Sequence, residues 1–421
     1  MAFTPWMTSN DIIEAVKRKI AFPVSQNTFS EEDILRFANE EMFISQVPSV
    51  LQFHEEYFVY RVVTPLVSNI SRYSIPDRAI GMRLRDLMWS DASGNFFEMT
   101  RINADDKAFF QRNIGANQAI HKFYIENNDV VLTPAVVGSP TGNLNFFIFL
   151  RPNQLVKNDR ARIIQSFTQD ITIANNGAFV SGDKLTITLA TQTPQPIATD
   201  ITIIVGATAN DTAVNLQNAI NAALTGSGMT ASANANVVTC TSDDITASFV
   251  CLNETAVTIS SQIGFNVDQS VAGLFNVGTK IDFLQTRPGH KTYVFDIRVR
   301  AIAGTNLKVN RSDLLVDLAT GFGFTPQIVN IQTGDYVCVA GESIIPQLPP
   351  DLHNMLAEKT AARILASLGD QAGLAMANDK IKEMEYRQGS LLDDRVDGAP
   401  QKITARHSIL RYQKMGVRKR M

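Results

Sequence analysis

Between Ile163 and Thr279 the chain changes its chemistry, and this break constrains the fold more than any single motif. The stretch contains no arginine, tyrosine or tryptophan, and Lys184 is its one lysine. Acidic residues persist through it at Asp170, Asp183, Asp200, Asp211, Asp243, Asp244, Glu254 and Asp268. So abrupt a shift in mid-chain marks a separately folding unit. Leu185–Leu189, Ile201–Val205, Val237–Thr241, Phe249–Leu252 and Val257–Ser260 are short β-branched runs bounded by Gly, Asn or Asp, the pattern of strands in a small sheet. One helix interrupts them, capped by Asn210 or Asp211 and lined by Val214, Leu216, Ile220, Ala223 and Leu224. Residues 167–282 are therefore expected to form an inserted β-rich domain containing one helix. Its two arms, Arg160–Thr168 and Ile281–Phe295, read as one β-hairpin of the host.

The flanking parts read as helices at both ends of the chain. Thr8, Ser9 and Asn10 are capping residues, and Ile12, Ile13, Val16 and Ile20 give the first helix a buried side, with Pro23 ending it. Ser30-Glu31-Glu32-Asp33 resembles a capping box, with Ile34, Leu35, Ala38 and Met42 turned inward behind it. Near the other end Pro349, Pro350 and Asp351 suit a helix start. Leu352, Met355, Leu356, Ile364, Leu365 and Leu368 then recur at three- and four-residue steps until Gly369 supplies a left-handed stop. A second stripe at Leu374, Ala377, Ile381 and Met384 completes a helical hairpin.

Signals for chemistry are nearly absent. His54, His121, His290, His353 and His407 stand in five segments with no ligand-like spacing. Gly321-Phe322-Gly323 lacks the third glycine and the lysine of a phosphate loop, and no Gly-x-Ser-x-Gly elbow occurs. Cys240, Cys251 and Cys338 are odd in number and scattered, which fits buried thiols better than a disulfide or zinc framework. Asp243-Asp244 and Asp393-Asp394 are adjacent, so their carboxylates diverge rather than converge on one atom. These features predict a protein that is not an enzyme and needs no cofactor or metal. The densest apolar run, Phe146–Leu150, is too short to cross a bilayer, and the N-terminus lacks the basic-then-apolar order of a signal peptide. A net charge of −3 excludes a basic surface over the whole chain.

Basic charge gathers at the end. After Asp397 come Lys402, Arg406, Arg411, Lys414, Arg418, Lys419 and Arg420 with no acidic residue among them. Ile403, Ile409, Leu410, Tyr412, Met415 and Val417 are interleaved with these charges. A solvated tail does not need those apolar residues, whereas a segment docking into a neighbour's groove uses them as anchors. Contact of Arg418, Lys419 and Arg420 with DNA phosphates is the other reading of the charge.

The order of these segments resembles the head-to-tail adaptor proteins of tailed bacterial viruses. The resemblance rests on the opening and closing helices, on Tyr73-Ser74-Ile75-Pro76, and on the hairpins around Asp91-Ala92-Ser93-Gly94-Asn95 and Asn127-Asn128-Asp129. Pro134 and the strand Phe146–Pro152 follow in the same order. It covers roughly residues 8–166 and 283–413. It implies an α+β fold in which the N- and C-terminal helices pack together beside a β-module, over 1–166 and 283–395. It also implies a basic tail, 396–421, that lodges against the portal protein through Ile409, Leu410, Arg411, Tyr412 and Met415. The further implications are a closed ring of twelve copies joining portal to a tail nozzle or tube protein, genomic DNA passing through its lumen, no membrane partner, and a place in the virion neck after assembly in the host cytoplasm. The strand–loop–helix unit around Asp211-Thr212-Ala213-Val214 resembles small accessory domains of other phage tail proteins. A different class of function, a receptor- or glycan-binding spike or fibre subunit, would place binding in the acidic unit, which lacks the tyrosines and tryptophans that sugar sites use.

Overall fold

The computed structural model describes residues 6–20, 29–91, 95–103, 105, 122–133, 142–189, 197–286, 292–320, 323–328 and 331–392. It is a mixed α+β protein. Its helices are α1 (Ser9–Lys19), α2 (Glu31–Glu41), α3 (Val47–Phe53), α4 (Ala209–Ala223), α5 (His353–Leu368) and α6 (Gln371–Leu392). The first two open on full capping boxes. Thr8 Oγ1 accepts from Asp11 N–H at 3.3 Å while the Asp11 carboxylate accepts from Thr8 N–H at 2.8 Å, and Ser30 and Asp33 repeat the arrangement. A single π turn, Met42–Gln46, carries α2 on into α3.

The opening and closing helices share one core. Ile12 and Val16 of α1 and Ile34 and Leu35 of α2 pack with Leu352, Met355, Leu356 and Ile364 at the start and along α5. Gly369 ends α5 at φ 76°, a left-handed position that costs glycine little. Leu368, which the periodicity places inside, is 43% exposed because it lies in the last turn before this stop. Hydrogen bonds also tie the start of α1 to the segment entering α5: Ser9 N–H donates to Ile344 O at 2.7 Å, and Met7 N–H to Nδ1 of the buried His353 at 3.0 Å.

Beside the helices lies a β-module built from β1 (Val59–Pro65), β2 (Arg72–Ser74), β3 (Ala79–Ser90), β4 (Phe96–Glu98), β5 (Lys122–Glu126), β6 (Asp129–Thr133) and β7 (Asn143–Leu150). The sheets run β1-β7-β3-β4 and β2-β6-β5, and they close over Leu87, Phe123, Leu132, Phe146 and Ile148. The turn between β5 and β6 holds Asn127 and Asn128 at φ 52° and 64°, which Asn tolerates and which suits a right-twisted hairpin. Then β8 (Gln154–Leu155) is clasped to α2: Asn39 donates to Leu155 O at 3.0 Å and accepts from Leu155 N–H at 2.7 Å, imitating a neighbouring strand.

The remaining strands are β9 (Ala161–Ile173), β10 (Lys184–Leu189), β11 (Ile197–Thr202), β12 (Met229–Asn234), β13 (Val237–Ser242), β14 (Ser248–Cys251), β15 (Val257–Val267), β16 (Lys280–Leu284), β17 (Thr292–Ala303), β18 (Asn306–Asn310), β19 (Leu315–Thr320), β20 (Gly323–Ile328), β21 (Tyr336–Val339) and β22 (Glu342–Ser343). Six of them close a barrel in the order β9-β15-β18-β17-β16-β21, with β21 returning to β9 at Ala161–Ile163. Phe167, Phe265, Phe275 and Phe283 fill it. Both β9 and β15 continue beyond the barrel into the inserted lobe. There Ile171, Ile173 and Val257 join a second core with Leu185, Ile187, Leu216, Ile220 and Val238. The two cores part at a break in the β9–β15 register between Ile259 and Ile263. The strand expected to pair with β9 lay at Ile281–Phe295. Instead β9 pairs with β15, while β16 pairs with β17 and β21. The lobe helix starts two or three residues earlier than its sequence suggests: Thr208 is the cap, and Asp211 is its capping-box partner.

Candidate docking surface

The helical end carries the expected docking face. Its helices are set against one another by ion pairs: Arg363 reaches Glu40 at 2.9 Å and Glu41 at 2.7 Å, and Lys359 reaches Glu385 at 2.7 Å. Glu358, almost fully buried, binds Lys19, with Lys380 at 3.7 Å. Partly exposed pairs contribute little stability, so they serve mainly to fix where α5 and α6 lie. Large apolar side chains stand exposed on the same end, Ile44 on the π turn and Met376 and Tyr386 on α6.

Below this face an open groove of about 570 Å³ runs between α2 and β8. Leu35 and Leu155 contribute apolar lining; Arg36, Lys157 and Arg160 alternate with Glu32 and Asp159 on its walls. At its rim the Glu31 carboxyl is held below its ordinary range by the hydrogen bond and charge of Lys17. Hydrogen bonds from Ser30 do the same for Asp33. The groove's mixture of charge and apolar lining suits an extended segment of alternating character.

The residues expected to dock or to touch DNA, Ile409, Leu410, Arg411, Tyr412, Met415, Arg418, Lys419 and Arg420, lie outside the described residues. So do His121, His290, His407 and Asp393-Asp394. His353 serves the core, its Nε2 lying 3.2 Å from Leu348 O. Asp244 turns back to cap Thr246 at 2.8 Å, beside the crevice between lobe and barrel. No group of three or more His, Cys, Asp or Glu converges among the described residues, and no described helix is long and apolar enough to cross a membrane.

All three cysteines are free and buried. Burial raises the Cys240 thiol from its ordinary 9.0 to about 12, helped by the nearby Asp170 charge, and burial also pushes Cys338 up. Both states of the protein carry the proton below pH 9. Between about 9 and 12 the unfolded chain loses it first, so stability should fall with rising pH across that window. Urea midpoints measured under reducing conditions at pH 8 and pH 11 should differ less in Cys240→Ala than in the wild type.

Sequence reading missed the junction that joins the three parts of the molecule. Asp282 on β16 has no solvent exposure. Its Oδ2 accepts from Arg78 Nη2 at 2.9 Å, Asn153 Nδ2 at 2.7 Å and Gly341 N–H at 2.9 Å, and its Oδ1 accepts from Asp296 N–H at 3.0 Å. Arg78 also lies 5.5 Å from the Phe295 ring centre, and Asn153 N–H donates to Gln347 at 2.6 Å. One carboxylate therefore connects the β-module, the barrel and the segment leading to α5. The signal available was a lone acid inside the apolar run Ile281-Asp282-Phe283-Leu284.

No protein-family model and no curated protein matches this chain. Among solved structures, the D1-D2-D3 domains of the flagellar cap protein FliD from Escherichia coli are similar at 12% identity, over 83% of this chain and 74% of that one. The TM-score of 0.18 is too low for that likeness to bear on fold or function.

Proposed function

We propose that this protein is a structural component of a bacteriophage virion, a head-to-tail adaptor that forms a closed ring of twelve copies between portal and tail. The observation that carries the reading is the shared core of opening and closing helices. It packs α1 and α2, from the start of the chain, against α5 near its other end. In the ring, those helices form the wall and residues 396–421 supply the portal-docking segment. Mixed charge along the helices suits the heterologous contacts that close a ring. In this reading the portal protein and a tail nozzle or tube protein are the partners. DNA traverses the lumen without sequence-specific contact, and assembly takes place in the host cytoplasm.

Tail variants test the docking step. Truncation after Gly398 should abolish co-sedimentation with capsids that contain portal but no DNA, while the thermal melt stays unchanged. Replacing Arg418, Lys419 and Arg420 with alanine should weaken binding less, since rim charges mainly steer encounter and buried anchors hold the complex. The opposite order, with a steep salt dependence, would instead assign the tail to DNA phosphates.

A further inference from the structure

The inserted lobe has an apex facing away from the barrel. The strand β9 lines the barrel through Ile164 and Phe167, leaves it at the register break near Gln169, and reaches the far end at Ile173, opposite Val257. Pairing of Leu185 with Ile201 and Cys251 sets β10, β11 and β14 to end there too. At this end Leu252 is 96% exposed, Val180 67% and Ile204 62%, with Val205 and Val214 about half exposed.

The loops carrying these side chains are cross-tied. Asn176 donates to Gly206 O at 3.0 Å and accepts from Thr212 Oγ1 at 2.6 Å. Asn253 donates to Ala178 O at 3.0 Å and to the Asp183 carboxylate at 2.7 Å, while Asn215 donates to Ile204 O at 3.2 Å. Gly206 sits so close to α4 that an added Cβ would lie 2.4 Å from Asp211 Cβ. The apolar side chains are therefore displayed on an ordered frame, which lowers the entropy lost when something binds them.

Charge narrows what that something is. Asp183, Asp200, Asp211 and Glu254 surround the apolar residues, and the one lysine here, Lys184, already lies 3.6 Å from Asp200. We propose that the apex is a docking site for a different protein, one whose contact surface carries apolar side chains rimmed by lysine and arginine. Exposed apolar clusters with a polar rim mark such sites, and complementary charge selects the partner. A second copy's apex would set carboxylate against carboxylate. The proposal does not depend on the ring reading, because it uses only the lobe's own surface.

The probe is a short fluorescent peptide of leucines spaced among lysines and serines, with a second peptide carrying glutamate in place of lysine. Full-length protein should bind the lysine peptide in fluorescence anisotropy and leave the glutamate peptide unbound. Ile204→Ser combined with Leu252→Ser alters only exposed side chains, so its circular dichroism should match the wild type. Its affinity for the lysine peptide should drop about ten-fold, the loss of roughly 1.4 kcal/mol of apolar contact. Equal binding by the double variant, or equal binding of both peptides, overturns the proposal. It is also overturned if sedimentation shows a wild-type dimer that the double variant cannot form, since a second copy is then the occupant.

Discussion

Asp282→Ala should lower stability by about 3–5 kcal/mol, because it removes the fully buried carboxylate that accepts from Arg78 and leaves that guanidinium with only the Asp296 carboxylate, at 3.8 Å, as a charge partner. Two backbone N–H groups, from Gly341 and Asp296, also lose their acceptor. Removing both charges tests the cause. Arg78→Met with Asp282→Leu should cost less than Asp282→Ala alone, since replacing a buried pair by apolar groups is often nearly neutral. Urea denaturation of the three variants measures this. A loss under about 1 kcal/mol for Asp282→Ala would show that the junction is not what holds the parts together.

Two deletions of the lobe should behave in opposite ways. Removing residues 174–256 and joining Ile173 to Val257 by a two-residue Asn-Gly turn should leave a soluble chain that melts cooperatively, because those residues already face one another across an antiparallel pair. Removing 169–280 instead takes out Ile263, Phe265, Val267, Val271 and Phe275, all buried in the barrel core. It also removes the strand between β9 and β18, so the barrel cannot close. That chain should lose its near-ultraviolet circular dichroism and its cooperative melt. Retention of both would mean that the barrel core is dispensable.

The contrast between these deletions shows what was legible in the sequence. Local signals were plain: the cap among Thr8, Ser9 and Asn10, the capping box at Ser30, the Asn127-Asn128 turn and the stop at Gly369 each act within a few residues. The composition break was equally visible, but the cores part elsewhere, between Ile259 and Ile263. Ser260, Ser261 and Gln262 look like the end of a strand. Beyond that register break Ile263, Phe265 and Val267 resume the period-two pattern that carries β15 into the barrel. Pairing of β9 with β15 joins segments about ninety residues apart, and no local propensity encodes such a choice. The partners of Asp282 were unreadable for the same reason, since its four donors come from four separate segments. At Thr208 the cap was hidden by competition, because Asn210 and Asp211 are also good caps in isolation. The proposed anchors of the tail lie outside the described residues, so that part of the site rests on sequence alone.

Negative-stain microscopy of the parent particle, with the protein tagged inside the inserted lobe, tests the central claim most directly. The account predicts tag density in a ring around the axis at the junction of head and tail, with the lobes repeated about that axis. Tag density on elongated, three-fold projections at the particle's periphery would contradict it, and would place the protein among the receptor-binding spikes and fibres.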